Sequence, residues 1–317
     1  MKFWKSVSVL GLCLLLTACA PAKPPEDPAP ASGTAVQTPE APSGEGEGTP
    51  SGPSLAKDEE PTILTCRIVD GAEDGNLLLA ELEGGLYGGT GVYRLNVKDV
   101  AVTLDGEAAA PSVLEDGMPV DVAFNGFVAE SFPAQLGDVY SVSAWSQGQS
   151  KNPMGTTYDL CGLYLQVLDD IWEKDKGLNE DIAIAGLDLS RAPGELAESE
   201  KAALAWRFGE MHGVEVVTGT FEELRDQGYF TVFPISTPAP EDGEDTSPLY
   251  QWEDGCLFSI KPNEDHEGKT YSTFSVLFFN AEKWRSPLGA YLLYDCSAMW
   301  PQGGTWTGYS VGSEMIS

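Results

Sequence analysis

The chain has 317 residues and a formal net charge of −31, from 49 acidic and 18 basic residues. That length holds one or two domains once leader and linker segments are set aside. Nucleic-acid binding requires a basic face, and no Lys/Arg cluster occurs, so that class is excluded. Surface-charge attraction to an anionic bilayer is excluded for the same reason.

Lys2 and Lys5 form a short positive segment, and an apolar run follows from Val7 to Leu16. The run is too short to cross a hydrocarbon core, which takes about 20 apolar residues. It has the length of a secretory signal's hydrophobic region, about 7–15 residues. Small residues then lead into Leu16-Thr17-Ala18-Cys19. This stretch resembles the lipobox of bacterial lipoproteins. The resemblance implies a signal peptide over 1–18, cleavage before Cys19 and a diacylglycerol on the Cys19 thiol. The expected location is the extracytoplasmic face of the cell membrane, held by lipid. One acyl chain binds a bilayer only marginally, whereas two give stable anchoring.

From Ala20 to about Pro61 the chain is rich in Pro, Ala, Gly, Ser, Thr and Glu and almost free of large apolar residues. Such a composition cannot bury enough surface to offset its ordering entropy. Residues 19–61 are therefore expected to be the lipidated Cys and a disordered tether, stiffened by proline.

Of six Cys, Cys13 leaves with the signal and Cys19 is the lipid site, so Cys66, Cys161, Cys256 and Cys296 remain. Four Cys allow three connectivities. Cys256 and Cys296 fall on expected strands of one sheet and are the favoured pair. A Cys66–Cys161 bond would tie two domains together. No CxxC spacing points to zinc or to thioredoxin-like chemistry.

Short β-type runs separated by turn signals begin at Thr62: Ile63–Val69, Asn76–Leu82, Val92–Val97, Val100–Leu104, Pro119–Phe124, Phe127–Glu130 and Val139–Trp145. Asn125-Gly126 is a hairpin signal, and Ser112 is expected to open one helical turn that stops at Gly117. This spacing suggests a small barrel or sandwich. Gly117-Met118-Pro119-Val120, Phe124-Asn125-Gly126 and Glu130-Ser131-Phe132-Pro133-Ala134-Gln135 resemble a domain of uncharacterised secreted Gram-positive proteins. That family implies a small OB-like β-barrel over residues 62–147 and carries over no catalytic residue. Gly84–Gly91 is glycine-rich, but it lacks the Gly-Lys-Ser/Thr ending of a phosphate loop.

A second domain is expected over 155–317. Leu160, Leu163, Tyr164, Val167, Leu168, Ile171 and Trp172 recur at helical spacing and form one apolar stripe. Asp181–Leu189, Glu198–His212 and Val214–Thr218 read as strand, helix and strand, and Thr220-Phe221-Glu222-Glu223 is a capping box that starts a short helix. Tyr250–Glu253 and Cys256–Ile260 flank Asp254-Gly255 as a hairpin. Tyr271–Asn280, Gly289–Ser297 and Thr305–Val311 complete a meander. The expected class is α+β with a mainly antiparallel sheet. The stretch from Trp284 to Tyr291, with Trp306 and the terminal Ile316-Ser317, is similar, more loosely, to another region of such secreted proteins.

The residues offer little chemistry. Cys161 falls at a helix start, where thiol pKa values can drop, but it lacks a partner His in sequence. His212 precedes a helix-stop glycine, and His266 sits in an acidic loop; neither has metal-ligand spacing. No metal or cofactor is expected. Trp284, Arg285, Tyr291 and Trp306 form the candidate binding surface, since aromatic rings beside an Arg recur at recognition sites. The leading expectation is a non-catalytic cell-envelope module that binds an envelope polymer or a surface protein. A carboxylate-based envelope hydrolase and a transporter's solute-binding lipoprotein are the alternatives. Cys19→Ser is expected to leave the chain unlipidated and to shift it from the membrane to the soluble fraction. Mass spectrometry of the mature N-terminus checks this, and an unmodified Cys19 in the wild type would overturn it.

Overall fold

Side-chain alternation organises the first half of the molecule. Strand β1 (Thr62–Asp70) turns Leu64, Cys66 and Ile68 to one face and Val69 to the other. Strand β2 (Asn76–Glu81) repeats the pattern, with Leu77 and Leu79 against Leu78 and Ala80. In β3 (Val92–Asn96), Tyr93 and Leu95 oppose Val92. The first set builds a core with Val120, Val122, Phe124 and Val142. The second set packs on helices. Both faces of β2 are buried, so its sequence runs continuously apolar instead of alternating.

The computed structural model describes residues 60–82, 88–146, 159–194, 196–234, 248–266, 276–299 and 308–317. All of them belong to one compact unit, Gly48–Ser317. The leader, Cys19, nearly all of the tether, Gly84–Tyr87, Trp300 and Trp306 lie outside the described residues.

The remaining strands of the first sheet are β4 (Ala101–Leu104), β5 (Glu107–Ala109), β6 (Pro119–Phe124), β7 (Ala134–Gln135) and β8 (Val139–Ala144). Their order is β5-β4-β8-β6-β1-β2-β3-β7. The ladder is open, yet β3 and β4 sit towards opposite margins although only residues 97–100 separate them. Asn125-Gly126 does not form the expected tight hairpin. Strands β6 and β8 do pair, with Phe124 opposite Val139, but residues 125–138, which include β7, form a long connection between them. The Asn125 side chain accepts from the Phe127 amide at 3.0 Å, a local turn that diverts the chain. Expected strand Phe127–Glu130 is reduced to one bridge, Val128 to Leu136. The helical turn near Ser112 is a three-residue 3₁₀ turn, Pro111–Val113.

Helix α1 (Leu160–Glu173) buries Cys161, Leu163, Tyr164, Val167, Leu168 and Ile171, as its apolar stripe predicts. Strand β9 (Ile184–Asp188), α2 (Glu198–His212) and β10 (Glu215–Thr218) form a strand–helix–strand unit, with Gly213 at φ 66° ending α2. The capping box of α3 (Phe221–Asp226) is formed: the Glu223 amide donates to Thr220 Oγ1 at 3.2 Å and the Thr220 amide to Glu223 Oε2 at 2.8 Å. Short strands β11 (Thr231–Val232) and β12 (Tyr250–Gln251) pair with each other. Strands β13 (Gly255–Pro262), β14 (Val276–Ser286), β15 (Gly289–Met299) and β16 (Ser313–Ile316) complete the second sheet, in the order β10-β9-β13-β14-β15-β16. Strand β9 is parallel to both β10 and β13, and the other pairs are antiparallel. The architecture is mixed α and β, dominated by sheets, with α1 and α2 layered between the two.

Asp254-Gly255 is not a hairpin turn. β12 pairs with β11, whereas β13 pairs with β9 and β14. Glycine is required at 255 because Trp252 lies over it: a Cβ there would fall 2.1 Å from the Trp252 ring. The favoured Cys256–Cys296 bond is also absent, and all four described cysteines are free and buried. β14 lies between the strands that carry these two. Two inter-strand spacings of about 4.8 Å exceed the roughly 7 Å limit for a disulfide.

Buried charges join the layers. Arg67 on β1 donates through Nε to Glu200 of α2 at 2.7 Å and through Nη1 to the Gly117 carbonyl at 2.9 Å. Ser199 donates to the Glu81 carbonyl at 2.6 Å. Asp159 caps α1 by accepting from the Gly162 amide at 2.7 Å. Burial, with Asp116 nearby, pushes the Asp159 carboxyl up from 3.8 to about 6, although the amide bond opposes the shift. A carboxyl with a raised folded-state pKa binds more protons folded than unfolded, so its contribution to stability falls as pH climbs from about 4 to about 6. Asp159→Asn keeps a capping oxygen and removes the charge. Relative to wild type, it is expected to gain about 1–3 kcal/mol between pH 4 and pH 7.5. Denaturant titrations at the two pH values check this, and an unchanged difference would overturn it.

Candidate functional site

A parallel strand pair needs a crossover, and here α2 supplies it between β9 and β10. This unit leaves a cavity of ≈ 1010 Å³ that runs along edge strand β10 to the carboxyl end of β9. Crevices at the carboxyl ends of strands, where chain connections diverge to either side, are common ligand sites in open α/β sheets. Strand β9 meets that condition, with β10 on one side and β13 on the other. The volume is at the upper end for small-ligand pockets, roughly 300–1,000 Å³.

Three residues give the cavity its character. Asp188 ends β9 and is only 4% exposed. Its Oδ1 accepts from the Ser190 amide at 3.1 Å and from the Ser190 hydroxyl at 2.6 Å. Its Oδ2 lies 3.9 Å from Lys261 Nζ. Trp206, on α2, is half-buried, and the Arg94 guanidinium from β3 sits 5.1 Å from its ring centroid. Phe132 comes from the loop between β6 and β8, is 63% exposed and reaches the cavity from the first sheet. The first sheet thus contributes to a site built mainly on the second.

The other lining carboxylates are exposed. Glu198 pairs with Lys201 at 2.8 Å, and Glu223 is held in the α3 capping box. Lys261 lines a smaller cavity of ≈ 280 Å³. Nearby, Asp295 adopts φ 54° and its Oδ1 takes hydrogen bonds from Asn263 Nδ2 and His266 Nε2, each at 2.9 Å. His266 stacks on Phe278 of β14 at 3.9 Å, so the group ties the 263–266 turn to both β14 and β15. Among the described residues, no group of three or more His, Cys, Asp or Glu is placed to hold a metal ion.

The residues expected from sequence to form a binding surface are not gathered at this cavity. Trp284 is half-buried in a cluster with Phe221 at 4.9 Å and Phe230 at 5.1 Å. Arg285 donates to the carbonyls of Trp252, Leu178, Glu180 and Glu253, at 3.3, 3.2, 2.8 and 2.6 Å. Tyr291 is buried, with its hydroxyl bonded to Glu314. Trp306 and Cys19 lie outside the described residues. Cys161 is fully buried, and burial pushes its thiol well up, opposite to what a nucleophile needs. His212 stacks on Trp172 at 4.1 Å, and burial lowers its pKa. Strand β3, not a helix, follows Gly91, and Gly84–Tyr87 of the glycine-rich stretch lie outside the described residues.

Sequence reading missed Asp188 and Trp206. The available signal for Asp188 was an acidic residue at the carboxyl end of a strand–helix–strand unit. The Phe132 motif was visible, but its destination was not. No known family, curated protein or solved structure matches the chain.

Arg285 acts as a staple between the loops at 178–180 and 252–253. Arg285→Ala is expected to cost about 2–3 kcal/mol of stability, as charge-assisted hydrogen bonds are lost and carbonyls are left unmet. Denaturant titration checks this. An unchanged midpoint together with weakened ligand binding would instead make Arg285 a contact residue.

Proposed function

We propose that the chain is a lipid-anchored extracytoplasmic module that holds an envelope ligand in the cavity between α2 and β10 without turning it over. The lipobox at Leu16–Cys19 and the proline-rich tether support the location. The observation that carries the binding reading is the concave site itself, where a buried carboxylate, Asp188, and two aromatic rings, Trp206 and Phe132, converge from both sheets. Large mixed pockets with a few convergent polar groups are the usual form of ligand sites. Binding is favoured over hydrolysis because, of the four lining carboxylates, Glu198 and Glu223 are held by Lys201 and Thr220, and Asp188 is held through one oxygen by Ser190.

We read the first sheet as an OB-like barrel. Support comes from residues 92–104, which pair with β2 at one end and with β8 at the other, as a strand shared by both margins of a closed barrel would. OB folds bind oligomers on the face of their second and third strands and on adjoining loops. Here the outward side chains Leu78, Ala80 and Val92 pack on α1 and α2. The barrel's usual ligand face is filled by the chain's own helices, which leaves loop 125–138 to reach a ligand.

The test is capture from envelope extract by the full chain in detergent micelles. Trp206→Ala and Phe132→Ala are each expected to weaken capture about 10-fold or more, as for aromatic anchors in desolvated pockets. Unchanged capture by both variants would overturn the site. Release of a cleaved product, abolished by Asp188→Asn, would replace the binding reading with the hydrolase.

A further inference from the structure

We infer that the cavity takes a hydroxylated ligand carrying an amine, of the kind presented by an oligomer of an amino sugar, and that it rejects polyanions. This rests on the cavity being the binding site and adds the chemistry of its occupant.

Three observations converge. The first is the buried acceptor. Asp188 Oδ1 is spent on Ser190, whereas Oδ2 has no hydrogen bond among the described residues, its ion partner Lys261 standing 3.9 Å away. A carboxylate oxygen without a hydrogen bond is stabilised by a donor, most strongly by a charged one. The second is the balance of charge. Asp188, Glu198, Glu210 and Glu223 line the cavity, against one lining ammonium, Lys201, already paired with Glu198, and the Arg94 guanidinium over the Trp206 ring. Glu210, exposed at the rim, has no partner among the described residues. The chain as a whole carries −31. A cleft lined by one sign of charge concentrates the opposite sign and repels its own. The third is the apolar lining. The Phe132 and Trp206 rings offer surfaces for the C–H face of a sugar ring and for an ammonium, and Ser190 and Thr218 line the same cavity.

The three features together select a ligand class. A purely apolar ligand would leave Asp188 Oδ2 without a hydrogen-bond donor, and a polyanion would face four carboxylates. A neutral sugar would use the rings and forgo the field. An amine-bearing sugar uses all three.

The experiment measures binding of three probes to the full chain in detergent micelles: a glucosamine oligomer, an N-acetylglucosamine oligomer and poly(glycerol phosphate). The glucosamine oligomer is expected to bind at least 10-fold tighter than the acetylated one, and several-fold more weakly at 200 mM than at 50 mM salt. Asp188→Asn is expected to bring the ratio of the two sugars close to one. Glu210→Gln, at an exposed position remote from the core, is expected to reduce the ratio and the salt dependence without loss of folding. Trp206→Ala is expected to weaken both sugars alike. Equal or tighter binding of the acetylated oligomer, binding of the polyanion, or no binding of the glucosamine oligomer at millimolar concentration would overturn the inference. If the acetylated oligomer binds as well and Trp206→Ala weakens both, the ligand class fails while the site stands. If Trp206→Ala and Phe132→Ala change no probe's binding, the site fails with it.

Discussion

Helix α1 lies between two sheets, and a helix end leaves backbone groups that must find partners. Protein side chains meet that demand at each end. Asp159 accepts from the Gly162 amide at the amino end. Lys283, fully buried on β14, donates to the carbonyls of Trp172, Lys174 and Asp175 at the carboxyl end, at 3.1, 2.6 and 3.2 Å. The signs agree with the helix dipole, acid at the positive end and ammonium at the negative one. Burial works against both charges, raising the Asp159 carboxyl and lowering the Lys283 ammonium. The backbone groups they satisfy would otherwise be orphaned in the interior, which is the larger cost.

With α1 fixed, the seam between the sheets follows. Arg67 projects from the outward face of β1 and meets Glu200, their side chains only 10% and 6% exposed. Breaking such a pair strands a charge in the interior, at about 3–5 kcal/mol, although the intact pair stabilises little in itself. Its effect is positional. It fixes the start of α2 against β1, as the Ser199 bond to the Glu81 carbonyl fixes it against β2. Arg94 over Trp206 continues the seam along α2. The first sheet therefore has a set position over the groove between α2 and β10, and Phe132 arrives there from loop 125–138. The cavity is a product of the seam more than of either sheet.

Much of the fold was legible in the residues. The stripe from Leu160 to Trp172, the glycine stop at 213, the Thr220 capping box and the apolar run of β2 are local patterns with local causes. The site was less legible. Arg285 and Trp284 stood out because Arg and aromatic residues recur at interfaces, but the same chemistry serves interiors. Arg285 spends its donors on four backbone carbonyls, and Trp284 closes a ring cluster with Phe221 and Phe230. Gly255 misled in the same way. An Asp-Gly pair signals a turn when φ must be positive, yet this glycine is needed because Trp252 lies across it and across Gly186 on the neighbouring strand.

By itself the sequence determined what depends on spacing within one segment: the resemblance of Leu16–Cys19 to a lipobox, the scarcity of large apolar residues between Ala20 and Pro61, the helix stripe and the alternation of strands. These are short-range rules, set by 3.6- and 2-residue periods and by composition. Only the tertiary structure decided the partners. It placed β14 between Cys256 and Cys296, which separates two thiols that sequence would have joined. It paired β13 with β9 instead of β12, and it brought Phe132, Asp188 and Trp206 to one cavity from three segments. The physical reason is that strand pairing and the docking of helices on sheets are chosen by the shape and polarity of distant surfaces. A carboxylate such as Asp188 acquires its meaning only when packing removes most of its water and sets it in the wall of a cavity.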